Sequence, residues 1–323
     1  MFHHFFFLLE IVAPVFAVMV VGYAMRKFRV LSAEADQSMT RVVVVLLAPC
    51  LALDSIIGNE SLTKPVNWLL PPLLGFLSIV LGIVCARLGA RLAGFPPGVA
   101  RRTFIFTTSI QNYGYIALPL CLALFSRETM GVLFAFCLGV EIAFWTIALW
   151  QLTGRSAKQP WWRAINPMMV AIPVAFILNA LGAKAWLPGS LTTTVHMLGI
   201  CAVPVALLVS GALIADHFKA DALRAGGRTI LVSSVIRIGV LPLLILAVAW
   251  ALPVGQELKA VLILEAAMPA AIFPIVLTKA HNGDVPVALQ VVIGTSLIGL
   301  VSIPLWLNFG MHWVLGGAIA ILP

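Results

Sequence analysis

The chain has 323 residues, of which 62% are hydrophobic and 10% are charged. Soluble domains carry about a quarter charged residues, so this composition excludes a soluble enzyme and indicates a polytopic membrane protein. The formal net charge of +8 therefore belongs to the connections between membrane spans and not to a nucleic-acid-binding surface. The five cysteines all lie in apolar stretches, so neither a disulfide framework nor a metal site is expected.

Ten hydrophobic stretches are long enough to cross the hydrocarbon core of a bilayer as helices. Short connections separate them, so the sequence predicts an all-α polytopic membrane protein without a soluble domain. The ten predicted spans, numbered one to ten, are Phe5–Met25, Ser38–Ile57, Trp68–Ala93, Thr103–Phe125, Thr129–Thr153, Ile165–Gly182, Leu187–Ala215, Thr229–Leu252, Glu257–Ala280 and Val285–Phe309.

Lysine and arginine residues are distributed unevenly between the connections. Fifteen lie in the odd-numbered connections and four in the even-numbered ones, and Arg237 lies inside span eight. Because cytoplasmic loops of membrane proteins are enriched in positive charge, the odd-numbered connections are expected to be cytoplasmic. Both termini would then lie outside the cytoplasm, and we expect the protein in the bacterial inner membrane.

The middle of span four contains residues that disfavour a continuous helix. Gln111, Asn112 and Gly114 lie at its centre, and Pro119 has no N–H for the carbonyl four residues before it. Non-helical backbone at this depth is tolerated only where it is buried in protein or lines a wet cavity. The start of the second half-helix would expose N–H groups, which favour an anion. We interpret this stretch as the substrate site of a transporter.

Span nine contains a second pair of helix-breaking residues, and prolines repeat between the two halves of the chain. Pro49 and Pro204 are 155 residues apart, as are Pro119 and Pro274. With five spans in each half, a repeat at this spacing would be inverted. Inverted repeats with broken helices are typical of secondary transporters, whose sites lie where the breaks meet. We therefore predict two five-helix repeats, residues 1–157 and 158–323.

The stretch Asn112–Leu120 reads N-Y-G-Y-I-A-L-P-L and resembles the N-x-G-[FY]-x-x-L-P-[LI] motif of the auxin efflux carrier family. Ile165–Pro167 (I-N-P), Val203–Gly211 and Ala266–Pro269 (A-A-M-P) resemble the same family. The resemblance covers essentially the whole chain. It implies a fold similar to that of bile acid:sodium symporters, in which helices four and nine cross at broken centres. Spans 1, 2, 6 and 7 would form a scaffold, and spans 3–5 and 8–10 a mobile transport domain.

The resemblance also implies roles for individual residues. Asn112 would contact a substrate carboxylate, and prolines of spans four and nine would hold the crossover open. Plant members carry a second asparagine in span nine, where this sequence has Ala267 or Met268, so malonate, malate and related acids of bacterial members are expected in place of auxin. The predicted substrate-binding residues are Gln111, Asn112, Gly114, Pro119, Met268, Pro269 and Pro274.

Three charged residues lie deepest in the predicted hydrocarbon region: Glu141, Arg237 and Glu265. Ionisable groups inside spans usually pair with one another or line a transport pathway. We assign the three residues to a coupling or charge network, in which Glu141 is the preferred proton-binding group. The alternatives are a structural ion pair between Glu265 and Arg237, or a position of Arg237 that reaches towards the cytoplasm.

The sequence therefore predicts a secondary active or facilitative transporter of small organic anions that works by elevator-type alternating access, with export favoured. No nucleotide-binding or catalytic motif is present, so neither a cofactor nor an enzymatic activity is expected. A sodium- or proton-coupled symporter of the same fold is the first alternative, and a non-transporting receptor or channel is a remote one. The expected partners are the substrate anion, the lipid bilayer and, in a coupled mechanism, protons. A homodimer is left open.

Overall fold

The computed structural model describes residues 2–63, 66–154, 166–217 and 226–316. Within these ranges the chain is helical, without a β-strand, as the composition predicted. The predicted boundary between the two halves, at residues 157 and 158, lies outside the described residues. The same holds for Ile165, the first residue of predicted span six.

Sixteen α-helices follow one another along the described ranges. They are α1 (Phe2–Lys27), α2 (Ala33–Val42), α3 (Ala48–Ile56), α4 (Val66–Leu92), α5 (Val99–Ser109), α6 (Ala117–Leu124), α7 (Arg127–Ala143), α8 (Leu149–Thr153), α9 (Pro167–Ala180), α10 (Gly189–Ile200), α11 (Ala202–His217), α12 (Gly227–Ser234), α13 (Leu241–Ala251), α14 (Gln256–Ala267), α15 (Phe273–Ala280) and α16 (Val285–Leu315). Short 3₁₀ turns lie at Glu60–Thr63 and Ala183–Ala185.

Three spans contain a π-helical turn that joins two α-helices without a break. These turns are Val43–Leu47 between α2 and α3, Phe144–Ala148 between α7 and α8, and Val235–Val240 between α12 and α13. A π-turn inserts one extra residue into the helical ladder and is often found at functional sites. The sequence analysis did not predict these turns, and two of them border the cavity described below.

Seven helical stretches in the described ranges are continuous, long and apolar enough to cross a membrane. They are Phe5–Lys27, Glu34–Ile56, Val66–Leu92, Arg127–Thr153, Gly189–Asp216, Gly227–Ala251 and Val285–Leu315. Three further predicted spans correspond to the shorter apolar helix α9 and to the two helix pairs α5–α6 and α14–α15, in which non-helical residues separate the halves. The arrangement as ten spans in two inverted repeats stays a prediction.

Two helix pairs pack with their backbones in close contact, α1 against α11 and α4 against α7. A Cβ atom added at Gly211 of α11 would lie 1.9 Å from the carbonyl oxygen of Met19, and one added at Gly139 of α7 would lie 1.7 Å from that of Pro72. Only glycine allows such an approach, which is a common way for membrane helices to pack. The contact at Gly139 fixes α7, the helix that carries Glu141, against α4.

The two interrupted spans lie in the interior of the helix assembly. Residues 103–112 and 260–272 are buried without exception. Their non-helical backbone is therefore shielded from lipid by protein, which is the condition under which a membrane helix can open. The fold thus places both interruptions where a protein-lined site can form.

Candidate functional site at the helix crossover

The two interrupted spans meet at the non-helical residues between their half-helices. The N–H of Asn112 donates a hydrogen bond of 2.8 Å to the carbonyl of Pro269, and the N–H of Ala271 donates one of 2.9 Å to the carbonyl of Ile110. Hydrocarbon offers no partners to backbone groups, so these mutual bonds satisfy groups that the broken helices would otherwise leave open. The crossover is held together by backbone from both spans.

Side chains of neighbouring helices complete the hydrogen bonds of the crossover. Gln111 and Ala270 face each other as an antiparallel bridge. The N–H of Ala270 donates to the hydroxyl of Thr295 on α16 at 3.2 Å, and the amide nitrogen of Gln111 donates to the hydroxyl of Ser78 on α4 at 2.9 Å. The Gln111 side chain therefore braces the crossover against α4.

Asn112 caps, with its own side chain, the turn that leads into the second half of span four. Its Oδ1 accepts hydrogen bonds from the N–H groups of Tyr115 (3.1 Å) and Ile116 (3.3 Å), and its backbone carbonyl accepts one from Ala117 (3.3 Å). The N–H groups that were expected to be free for an anion are thus occupied. The Nδ2 of Asn112 has no acceptor within the described residues, although the side chain is only 1% exposed. It is a buried donor without a partner.

A cavity of about 180 Å³ borders the crossover. Its walls come from spans two, four, five, six, seven and nine and are mostly apolar or aromatic. Among the lining residues that the structure describes, none is a lysine, arginine or histidine. The side chains that bring a polar atom to the lining are Asn112, Tyr113, Tyr115, Glu141, Trp145 and Asn166.

Glu141 carries the formal charge of this lining, and three donors hold its carboxylate. Its Oε1 accepts from the hydroxyl of Tyr113 at 2.6 Å. Its Oε2 accepts from Nε1 of Trp145 at 2.8 Å and from Nδ2 of Asn166 at 2.6 Å. Asn166 in turn caps α9, where its Oδ1 accepts from the N–H of Met169 at 2.9 Å. The carboxylate thus joins spans four, five and six, and all three of its donors are neutral.

Three aromatic rings pack together beside Glu141. The ring centroids of Phe144 and Trp145 are 5.2 Å apart, and Phe273 lies 6.1 Å from the first and 6.3 Å from the second. Phe144 and Trp145 belong to the π-helical turn after α7, and Phe273 begins the second half of span nine. One end of the cavity therefore combines a carboxylate with an aromatic cluster.

The other two buried charges lie apart from the cavity. Arg237, on the π-helical turn of span eight, is 1% exposed, and Glu265 of α14 is 0% exposed. The two side chains interact electrostatically, and Glu265 also interacts with the side chain of Gln111 in the crossover. Arg237 therefore does not reach water, and neither residue borders the candidate site.

The structure separates the predicted site residues into three groups. The cavity is bordered by Asn112, Gly114, Pro119 and Glu141. Residues that lie in or beside the crossover without bordering the cavity are Gln111, Met268, Pro269 and Pro274. The third group is Arg237 and Glu265. Cavity residues that the sequence analysis did not single out include Tyr113, Tyr115, Trp145, Asn166 and Phe273.

Comparison with known proteins decides the family. A family model described as a membrane transport protein matches residues 7–307, nearly the whole chain. The chain belongs to the auxin efflux carrier family. This confirms the resemblance drawn from the motif at Asn112. With its continuous apolar helices, this family member is a multi-pass membrane protein of a transporter family.

Two curated relatives of this auxin efflux carrier family member come from archaea. An uncharacterized transporter of Methanothermobacter thermautotrophicus is 25% identical over 306 residues, which cover 92% of this chain and 96% of the relative. An uncharacterized transporter of Methanocaldococcus jannaschii is 22% identical over 306 residues, which cover 92% and 97%. Both likenesses span whole proteins and support the transporter class. Neither name states a substrate.

Proposed function

We propose that this protein moves small organic anions bearing a carboxylate across the bacterial inner membrane. Transport would be secondary active or facilitative and would proceed by alternating access. In the elevator form of that mechanism, spans 3–5 and 8–10 move against a scaffold of spans 1, 2, 6 and 7. The termini would lie outside the cytoplasm, as the positive charge of the odd-numbered connections indicates.

The observation that carries the proposal is the buried, unpartnered Nδ2 of Asn112, a residue that borders the cavity. A buried donor without an acceptor costs about 1–3 kcal/mol. A carboxylate oxygen that reached Nδ2 would accept this hydrogen bond and remove that cost. Binding would therefore be centred on span four.

The charge of Glu141 favours monocarboxylates over the dicarboxylates malonate and malate. A second carboxylate held roughly 6 Å from Glu141 would be repelled by about 3 kcal/mol at an effective dielectric constant near 20. The apolar walls also provide few donors for a second carboxylate. We therefore place compounds with one carboxylate and an apolar body first among the candidate substrates.

Export of an anion needs no coupling ion. A monovalent anion that leaves a cell with a negative interior gains about 2.3 kcal/mol per 100 mV of membrane potential. Uptake of the same anion would have to overcome this term, and a proton carried by Glu141 is the alternative that would supply it. Sodium coupling stays a further alternative; a hard cation prefers oxygen ligands, and the cavity lining offers one carboxylate, that of Glu141.

Counterflow in proteoliposomes tests the proposed function. Vesicles preloaded with one carboxylate should take up a labelled carboxylate, and Asn112→Ala should reduce this exchange at least tenfold. Asn67→Ala is the matched control, because it removes an amide that bonds to Ser61 far from the cavity lining. Unchanged exchange in Asn112→Ala would show that the asparagine is only a helix cap, and no exchange of any carboxylate would refute the function.

A further inference from the structure

The cavity has an unusual charge for a site that accepts a carboxylate. Its one formally charged lining residue in the described part of the chain is Glu141, which is acidic. A carboxylate bound at Asn112 would bring a second negative charge into a small, mostly apolar space, where charges are poorly screened. A compensating positive charge would come from a proton on Glu141, from a coupling cation or from the substrate.

The hydrogen bonds of Glu141 disfavour a proton on one of its two oxygens. Oε2 accepts from Trp145 Nε1 and from Asn166 Nδ2, and an indole N–H and an amide NH₂ can only donate, so a proton on Oε2 would compete with both. A proton on Oε1 could instead be donated to the hydroxyl of Tyr113, which can accept as well as donate. An ionised carboxylate has about four acceptor positions, so the three bonds leave one position for a further donor. A substrate amine is a donor that would fill this position and keep Glu141 ionised.

The surroundings of Glu141 suit an ammonium group. Trp145 meets the carboxylate with its indole N–H, and the rings of Phe144 and Phe273 pack against that indole. The hydroxyl of Tyr113 lies against the other carboxylate oxygen. Aromatic rings attract a cation that is otherwise removed from water, and a charge-assisted hydrogen bond to a carboxylate adds to that attraction. A carboxylate with aromatic neighbours is the set of groups that recognises a protonated amine.

We propose that the substrate is a zwitterion, a small carboxylate that also carries a protonated amine. Its carboxylate would bind Nδ2 of Asn112, and its amine would bind Glu141 between the aromatic rings. This proposal rests on the carboxylate recognition proposed above, and it changes the substrate from a net anion to a zwitterion whose carboxylate binds the same donor. A zwitterion has no net charge, so its transport requires neither a coupling proton nor the membrane potential.

The test compares matched ligands in the full-length protein. The probes are amino acids in which one to five carbons separate the amine from the carboxylate, each paired with the same carboxylate lacking the amine. Malonate and malate serve as dicarboxylate probes. Binding is measured by calorimetry in detergent for the wild type, for Glu141→Gln and for Glu128→Gln, a control on the same helix outside the cavity lining.

In the wild type, at least one amino acid should bind roughly 10- to 100-fold more tightly than its partner without the amine, as expected for one charge-assisted hydrogen bond. Glu141→Gln should reduce this ratio to near one and leave the affinity for the simple carboxylate equal or higher. Glu128→Gln should keep the ratio. If Glu141→Gln does not fold, Trp145→Leu is the second variant. It keeps the carboxylate of Glu141 but removes an aromatic neighbour, and it should lower the ratio.

Three results would overturn the proposal. Equal binding of simple carboxylates and amino acids in the wild type refutes the zwitterion, and so does an amine preference that survives in Glu141→Gln; both results leave carboxylate transport standing. Uptake of a proton together with a simple carboxylate would show that Glu141 is neutralised by protonation. If no probe of any type binds, the proposed function itself fails.

Discussion

Spans four and nine are interrupted at matching places but complete their second halves differently. Both halves that follow the break are eight residues long, Ala117–Leu124 and Phe273–Ala280, and each contains a proline near its start. In span four, the side chain of Asn112 caps the turn that precedes the second half. In span nine, the second half directly follows its N-cap residue Ile272, and no side chain caps it. The same backbone arrangement is thus stabilised in two ways.

The two interruptions also differ in what they contribute to the cavity. Span four brings Asn112, Tyr113 and Tyr115 to the lining, together with a glycine. Span nine brings only Ala271 and Phe273, which are apolar. Span nine instead anchors the crossover, because its backbone bonds to span four and to the hydroxyl of span ten. One interrupted span supplies recognition, and the other supplies shape and support.

This division explains how a site can form with polar groups on one side only. A carboxylate needs only a few well-oriented hydrogen-bond donors, and the rest of the cavity wall can exclude water with apolar surface. Substitutions in span four should therefore change binding, whereas substitutions in span nine should change stability. The four predictions below test that contrast, from the largest expected effect to the smallest.

Filling the cavity from span four should have the largest effect. A Cβ added at Gly114 meets no atom within 4 Å, so Gly114→Leu should fold normally and place its side chain in the substrate space. Transport should fall below detection while the melting temperature in detergent changes little. Gly189→Leu is the control, because it is equally free of neighbours but lies far from the cavity lining. Retained transport in Gly114→Leu would show that the substrate binds elsewhere.

Asn112→Asp should separate the two roles of the asparagine. An aspartate keeps an oxygen that can cap Tyr115 and Ile116, and a negative charge is favourable at a helix start. The variant loses the Nδ2 donor and places a charge against the substrate carboxylate. Transport should therefore fall by at least a hundredfold with little loss of thermal stability.

The capping role is measured by the companion variant Asn112→Ala. It should lose about 1 kcal/mol of stability in addition to transport, because the cap is gone. Equal stability of Asn112→Ala and wild type would mean that the cap contributes nothing. Transport near the wild-type rate in Asn112→Asp would contradict the assignment of Nδ2 as the substrate donor.

The sequence predicted the location of both breaks because proline and glycine act through the local backbone. It also placed Asn112 in the break of span four, where the structure has it; the role of Asn112 in substrate binding stays a prediction. It could not predict which charged residue borders the cavity. Glu141, Arg237 and Glu265 are similarly deep along their helices, but depth does not state the direction in which a side chain points.

The sequence also could not predict that Tyr113, Trp145 and Asn166 all donate to Glu141, for a related reason. Asn166 lies in a short motif that begins span six, and nothing in the sequence connects it with a carboxylate 25 residues earlier. Trp145 donates to the same carboxylate from within a π-helical turn, and such a turn has no clear sequence signal. These contacts depend on the rotation and packing of whole helices. The aromatic wall of the site was therefore found only in the structure.

Span nine should respond mainly in stability. Thr295→Val removes the hydroxyl that accepts the N–H of Ala270 and leaves that donor buried without a partner, which should cost about 1–3 kcal/mol. Substrate affinity should change less than threefold, because Thr295 does not border the cavity. Thr295→Ser keeps the hydroxyl and should remain close to wild type in both measurements. A large loss of affinity with unchanged stability would show that span nine takes part in substrate recognition.

The smallest effects should come from the prolines after the two breaks. Pro119 and Pro274 both lie in the first turn of a half-helix, where a backbone N–H has no partner within the helix, so the missing donor costs little. The breaks are also held by the bonds between Asn112 and Pro269 and between Ala271 and Ile110. Pro119→Ala and Pro274→Ala should therefore keep transport within about threefold and stability within roughly 1 kcal/mol of wild type.

The two proline variants should still differ in direction. Pro119 borders the cavity, so Pro119→Ala should enlarge it and weaken binding slightly. Pro274 is buried away from it, so Pro274→Ala should leave affinity unchanged. Counterflow and thermal melting of both variants measure this difference. Complete loss of transport in either one would mean that a single proline keeps its span open, and that the hydrogen bonds between the spans are too weak to do so alone.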